Sequence, residues 1–118
     1  MIDKIAEVSL LYDFYGQLLT KRQQDVMQLY HEENLSLSEI AQEFAISRQG
    51  VHDAVKNAEK SLHEYEEKLG LVKKFAKTKE MILQIDQKLD HIIEENKNNQ
   101  ELNDKLQDIK EIIDQLDE

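Results

Sequence analysis

The sequence predicts an all-α fold, and three observations carry that expectation. No proline and only three glycines, Gly16, Gly50 and Gly70, interrupt 118 residues rich in helix formers. Apolar residues recur at spacings of three and four along most of the chain. Ser/Thr residues followed three positions later by Glu/Gln stand just ahead of apolar runs, where a helix needs its first N–H groups capped. With 40% apolar and 34% charged residues, the composition fits a folded helical protein or a coiled coil rather than a disordered chain. Residues 1–70 read as one small domain and residues 71–118 as a helical tail with a role in assembly.

The first helix is expected from about Asp3 to Leu18. Ile5, Val8, Tyr12, Tyr15 and Leu19 form one stripe, and Leu11, Phe14 and Leu18 widen it. Gly16 either lets a neighbouring helix approach or is a tolerated defect costing about 1 kcal/mol relative to alanine. Thr20 and Gln23 form a capping box for a helix from Lys21 to about Glu32, with Val26, Met27, Leu29 and Tyr30 inward. Ser36 and Glu39 form the next box, with Leu35 stapling against Ile40. The short helix Leu37–Phe44 then buries Leu37, Ile40, Ala41 and Phe44. After the tight connection Ala45–Ile46, Ser47 caps a helix carrying Val51, Val55, Ala58, Leu62 and Tyr65 on one stripe, stopped by Gly70.

Beyond Gly70 the character changes. Lys73, Lys74, Lys77 and Lys79 make a dense basic patch around Phe75, which is expected to anchor this segment to the core. A second role for that patch is nucleic-acid contact, with Phe75 as a stacking platform. From Glu80 the pattern is that of a coiled coil: Ile82, Ile85, Leu89 and Ile92, then Leu102, Leu106, Ile109, Ile113 and Leu116 one residue out of register. The offset means a phase slip in one long helix or a break at Asn96–Asn99. A break is favoured, giving a hairpin of Glu80–Glu95 and Gln100–Asp117. One amphipathic helix cannot bury its own stripe, so these residues are the expected assembly surface of a homo-oligomer.

Composition also narrows the function. Without cysteine there is neither a disulfide nor a thiolate site. His31, His52, His63 and His91 share no ligand spacing, no glycine-rich phosphate loop is present, and the serines lack an oriented base. No metal, cofactor or enzymatic activity is expected. His63 has Glu66 and Glu67 within one helical turn, as ordinary surface neighbours. The N-terminus has the charge pattern of no secretory signal and no apolar run is long enough to span a membrane, so membrane insertion is not expected and a cytoplasmic location is. The net charge of −10 is spread over both halves and opposes nonspecific attraction to nucleic acid.

The run Leu35-Ser36-Leu37-Ser38-Glu39-Ile40-Ala41-Gln42-Glu43-Phe44-Ala45-Ile46-Ser47-Arg48-Gln49-Gly50-Val51 resembles the helix-turn-helix of sigma factor region 4, with Leu19-Thr20-Lys21-Arg22-Gln23 like the helix start that precedes it there. Ala45 stands where such turns often have glycine. Leu11-Tyr12-Asp13-Phe14-Tyr15, Leu18-Leu19-Thr20, Asn57, Glu59, Lys60 and Tyr65-Glu66-Glu67-Lys68-Leu69 extend the likeness to the YlxM family of small bacterial helix-turn-helix proteins. That resemblance weakens after about Lys79. It implies a regulatory role in the signal recognition particle pathway, with the particle's RNA, its GTPase, or DNA as partners. Arg48, Gln49, His52 and Lys56 are the residues expected at a nucleic-acid face, with Lys21, Arg22 and Lys60 as further phosphate contacts. Asp53 on the same face opposes phosphate. Two other readings stay open: a dimeric transcription regulator acting on DNA, and a protein–protein adaptor that binds no nucleic acid.

Overall fold

A computed structural model describes residues 3–116. All regular structure among them is helical, with a helix-turn-helix arrangement followed by an extended C-terminal helical region. The elements are α1 (Lys4–Tyr15), α2 (Lys21–Met27), α3 (Leu37–Phe44), α4 (Arg48–Leu69), α5 (Leu71–Glu95) and α6 (Gln100–Leu116). The chain divides into two compact units, Met1–Val72 and Lys73–Glu118.

In the first unit the caps decide where helices begin. Asp3 caps α1, Thr20 and Gln23 close a box on α2, Ser36 and Glu39 close one on α3, and Ser47 caps α4. Val8, Leu11, Tyr15, Leu19, Val26, Met27, Ile40, Ala41, Val51, Val55, Ala58 and Leu62 form one core, with α4 packed against α1, α2 and α3. Leu35, Leu37, Phe44, Ile46 and Tyr65 close its edges.

The expected first helix is shorter than its apolar stripe implied. α1 stops at Tyr15, and Gly16–Leu18 tightens into a 3₁₀ turn. That change of pitch carries Leu18 outward, where it is 54% exposed, and Ile5 at the other end is 65% exposed. At Gly16 the α2 side chain of Gln24 donates to the backbone carbonyl at 2.9 Å. The Tyr12 ring lies over this glycine, and a Cβ there would come within 3.1 Å of that ring. The second helix also changes character, continuing from α2 as a π-helical stretch, Gln28–Glu32, capped by Glu33 and followed by Asn34 at φ +56°. Tyr15 joins α1 to the α4–α5 corner: its hydroxyl donates to Glu66 Oε1 at 2.5 Å and accepts from the Leu71 amide at 3.0 Å.

The connection between α3 and α4 turns on Ala45, which is left-handed with φ 54° and ψ 43°. Its amide and that of Ile46 donate to the last carbonyls of α3, Ala45 to Gln42 and Ile46 to Ala41. A left-handed alanine costs about 1–2 kcal/mol. Glycine would remove that strain but lose about 0.4–1 kcal/mol through the greater freedom of the unfolded chain. Ala45→Gly is therefore expected to stabilise the unit by about 0.5–1 kcal/mol, read as a higher urea midpoint with an unchanged slope.

The second unit is a hairpin. Ile82 and Leu89 of α5 meet Leu106 and Ile113 of α6, with Ile93 and Leu102 at the edges. The Asn96–Asn99 segment is a turn: the Asn96 amide donates to Ile93 O and the Asn99 amide to Asn96 O. Asn103 Nδ2 ties α6 back to Asn96 O at 3.0 Å, and Lys110 pairs with Asp90 across the two helices. Asp117, the expected end of the second helix, lies outside the described residues. Phe75, expected to be an anchor, is instead 45% exposed, with the Lys79 ammonium 5.2 Å from its ring centre.

Candidate nucleic-acid interface

The start of α4 is built by local chemistry. Ser47 Oγ accepts from the Gly50 amide at 2.9 Å, and a Cβ on residue 50 would stand 3.2 Å from that oxygen, so glycine keeps the cap uncrowded. Val51, Val55, Ala58 and Leu62 then face the core, which obliges Arg48, Gln49, His52, Asp53, Lys56 and Lys60 to face out, and all six are exposed.

The structure divides these residues by how they are engaged. Arg48 and Lys60 form neither an ion pair nor a side-chain hydrogen bond with another described residue. Gln49 Nε2 donates to Asp53 Oδ1 at 3.0 Å, and His52 Nδ1 is 3.6 Å from the same oxygen. Lys56 Nζ is 3.9 Å from Glu59 Oε1. Asp53 and Glu59 therefore compete for the groups that would meet a nucleic acid. At the start of α2, Lys21 pairs with Asp25 at 3.0 Å, while the Arg22 guanidinium lies 4.9 Å from the Phe44 ring centre. That stacking brings Arg22 beside the α3 end of the turn that presents Arg48.

Lys73, Lys74, Lys77 and Lys79 are exposed along α5 and belong to the second unit. Of the apolar stripes there, Ile82, Leu89, Leu106 and Ile113 are buried and Leu102 is partly buried, whereas Ile85, Ile92, Ile109 and Leu116 are 38–66% exposed.

A cleft of about 400 Å³, not foreseen from sequence, opens between α1, the π-helical stretch and α4. Ile5, Val8, Leu35, Leu37 and Val55 supply its apolar lining, and His31, His52, Lys56 and Glu59 supply polar groups. His31 Nε2 is buried without a hydrogen-bond partner, 3.8 Å from Glu59 Oε2. Burial lowers the His31 pKa, and the nearby Glu59 carboxylate opposes that only in part. An unfolded imidazole titrates near about 6.5. Below that pH the unfolded chain takes up a proton that folded His31 resists, so stability is present above this value and falls as the pH drops toward the folded pKa. The urea midpoint is expected to fall between about pH 7 and pH 5, and His31→Gln to make the fall shallower. An unaltered slope in that variant would mean that His31 titrates alike in both states. His63, within one helical turn of Glu66 and Glu67, also has Nδ1 3.7 Å from Glu7 Oε1 of α1.

Among the described residues no cluster of three or more His, Asp or Glu side chains could hold a metal ion, and no helix is long and apolar enough to cross a membrane.

A family profile described as "Putative helix-turn-helix protein, YlxM / p13 like", UPF0122, matches residues 2–118. A UPF0122 protein of Desulforamulus reducens is 49% identical over 84 residues, covering 71% of this chain and 72% of its own. One of Halalkalibacterium halodurans is 47% identical over 90 residues, covering 76% and 83%. One of Bacillus anthracis is 40% identical over 117 residues, covering 99% and 100%.

Proposed function

The chain belongs to the UPF0122 family of YlxM/p13-like helix-turn-helix proteins, and on that premise we propose that its first unit is a non-enzymatic regulatory module that binds a ribonucleoprotein, the signal recognition particle. The family's resemblance supplies the pathway. The observation that supports a nucleic-acid face is the first turn of α4: it holds the exposed, unpaired Arg48 and no acidic residue, in a chain of net charge −10. A helix N-terminus favours anions through its free N–H groups and its dipole, so a cation there adds to an anion-attracting end instead of neutralising it. The first turn of α2 likewise carries Lys21 and Arg22 without an acid.

Few cations are available, and this shapes the mode of binding. Lys21 and Lys56 are already matched to Asp25 and Glu59, which leaves Arg22, Arg48 and Lys60 as the principal phosphate contacts. Three contacts give a salt dependence of log K on log salt of about −2 to −3, far shallower than that of a dedicated operator binder. Such a face suits a particle whose protein component adds contacts of its own. The test is a fluorescence-anisotropy titration with the particle's RNA, with RNA plus its GTPase, and with duplex DNA, at about 50 and 200 mM salt. Binding to the RNA or the RNA–GTPase complex with that shallow slope, and weaker binding to duplex, is the expected result. Preference for duplex would move the assignment to a DNA regulator, and no binding to any nucleic acid would leave a protein adaptor.

A further inference from the structure

We propose that one face of the α5–α6 hairpin is a docking surface for the same face of a second copy of this chain, the two hairpins closing into a four-helix bundle. Ile85 and Ile92 lie three residues after the buried Ile82 and Leu89, and Ile109 and Leu116 lie three residues after the buried Leu106 and Ile113. Three residues rotate a side chain about 60° back around a helix from its predecessor. Because α5 and α6 run in opposite directions, the same offset turns both stripes to the same side of the hairpin. Met81 and Ile112, each one residue before a buried position, flank that side, whereas Leu83 lies on the other. The six residues Met81, Ile85, Ile92, Ile109, Ile112 and Leu116 are 53%, 44%, 38%, 43%, 61% and 66% exposed.

Size and spacing select a second copy as the occupant. The described part of the hairpin has only four buried apolar side chains, too few for an isolated unit of this length. The exposed face offers on the order of 500 Å² of apolar surface, the upper end of what a monomer leaves as one patch. Two copies together would bury roughly 1,000 Å², which reaches the size a specific interface needs. Both stripes repeat every seven residues, the period that lets knobs enter holes only on helices of matching repeat, and this hairpin supplies two of them. No carboxylate interrupts the stripes: positions 81, 85, 88 and 92 and positions 105, 109, 112 and 116 carry apolar residues and only Lys88 and Lys105, although the chain is strongly acidic. Two such faces would bury no carboxylate, and their like-charged lysines lay only their stems on the apolar surface while the ammonium groups reach solvent at the rim.

Sedimentation equilibrium of the full chain at micromolar concentration is expected to give twice the 13.9 kDa chain mass. The double variant Ile85→Glu/Ile109→Glu is expected to sediment at the single-chain mass. Because that variant could unfold the hairpin, a second measurement uses the absence of native cysteine: under oxidation, Ile92→Cys is expected to cross-link two chains and Leu83→Cys to remain uncross-linked. A wild-type chain that sediments as a monomer, or cross-linking through Leu83→Cys alone, overturns the proposal. Arg48→Glu is expected to leave the dimer intact, so failure of the nucleic-acid face and failure of this interface are separately visible.

Discussion

Leu62→Ala is expected to cost the first unit about 3–5 kcal/mol. Leu62 is fully buried in the middle of α4, at the centre of a core to which α1, α2, α3 and α4 all contribute. Truncation removes its contacts and leaves a cavity that four helices tied by their own caps cannot easily close. A domain of about seventy residues has roughly 4–10 kcal/mol in hand, so this one change removes a large share of it. All four tyrosines, Tyr12, Tyr15, Tyr30 and Tyr65, lie in this unit and the chain has no tryptophan. Tyrosine fluorescence during urea unfolding therefore reports on this unit alone. The control is Leu69→Ala on the same helix, 54% exposed, with an expected change within about 0.5 kcal/mol. Similar costs at the two positions would show that the core is not centred on α4.

Much of this architecture was legible because it is written in local chemistry. A capping box needs only a hydroxyl and a Glu or Gln three residues on, so Thr20–Gln23 and Ser36–Glu39 marked two helix starts, and Leu37–Phe44 has the ends its flanking residues implied. Gly70, left-handed with φ 62°, ends α4 for an equally local reason. Ala45 adopts the left-handed turn that a helix-turn-helix requires despite lacking glycine's freedom, because Phe44 and Ile46 on either side are packed on the core.

What sequence left open depends on neighbours distant along the chain. The π-helical stretch at Gln28–Glu32 and the cleft around His31 and Glu59 arise where α1 and α4 meet that stretch, and no spacing within it announces them. The exposure of Leu18 follows from where α1 stops, a matter of one turn. The exposed residues of α4 were visible as a helix face, but their engagement was not: whether Lys56 is free or held by Glu59, and whether Gln49 is free or held by Asp53, is set by rotamers. The heptad stripes foretold a pair of helices, yet the burial of Ile82 rather than Ile85 depends on how many helices share the core.

Arg48→Glu is expected to weaken binding to the particle's RNA by about ten- to a hundred-fold and to reduce the salt slope by about one. Arg48 occupies the first position of α4, where the helix dipole and the N–H groups that the Ser47 cap leaves open favour a carboxylate. Charge reversal there should therefore hold or raise stability by up to about 1 kcal/mol while it repels phosphate. This opposition makes the experiment decisive, because a loss of binding accompanied by an equal or higher urea midpoint cannot be assigned to unfolding. The comparison is Lys56→Glu, two turns further along α4, where the cation already stands 3.9 Å from Glu59. Part of its charge is spent on that neighbour, so its reversal is expected to cost less than reversal at Arg48. If both variants bind RNA and the RNA–GTPase complex as tightly as the wild-type chain at low and high salt, the exposed start of α4 is not the contact surface. The acidic, adaptor-like character of the chain would then be the better guide to what it does.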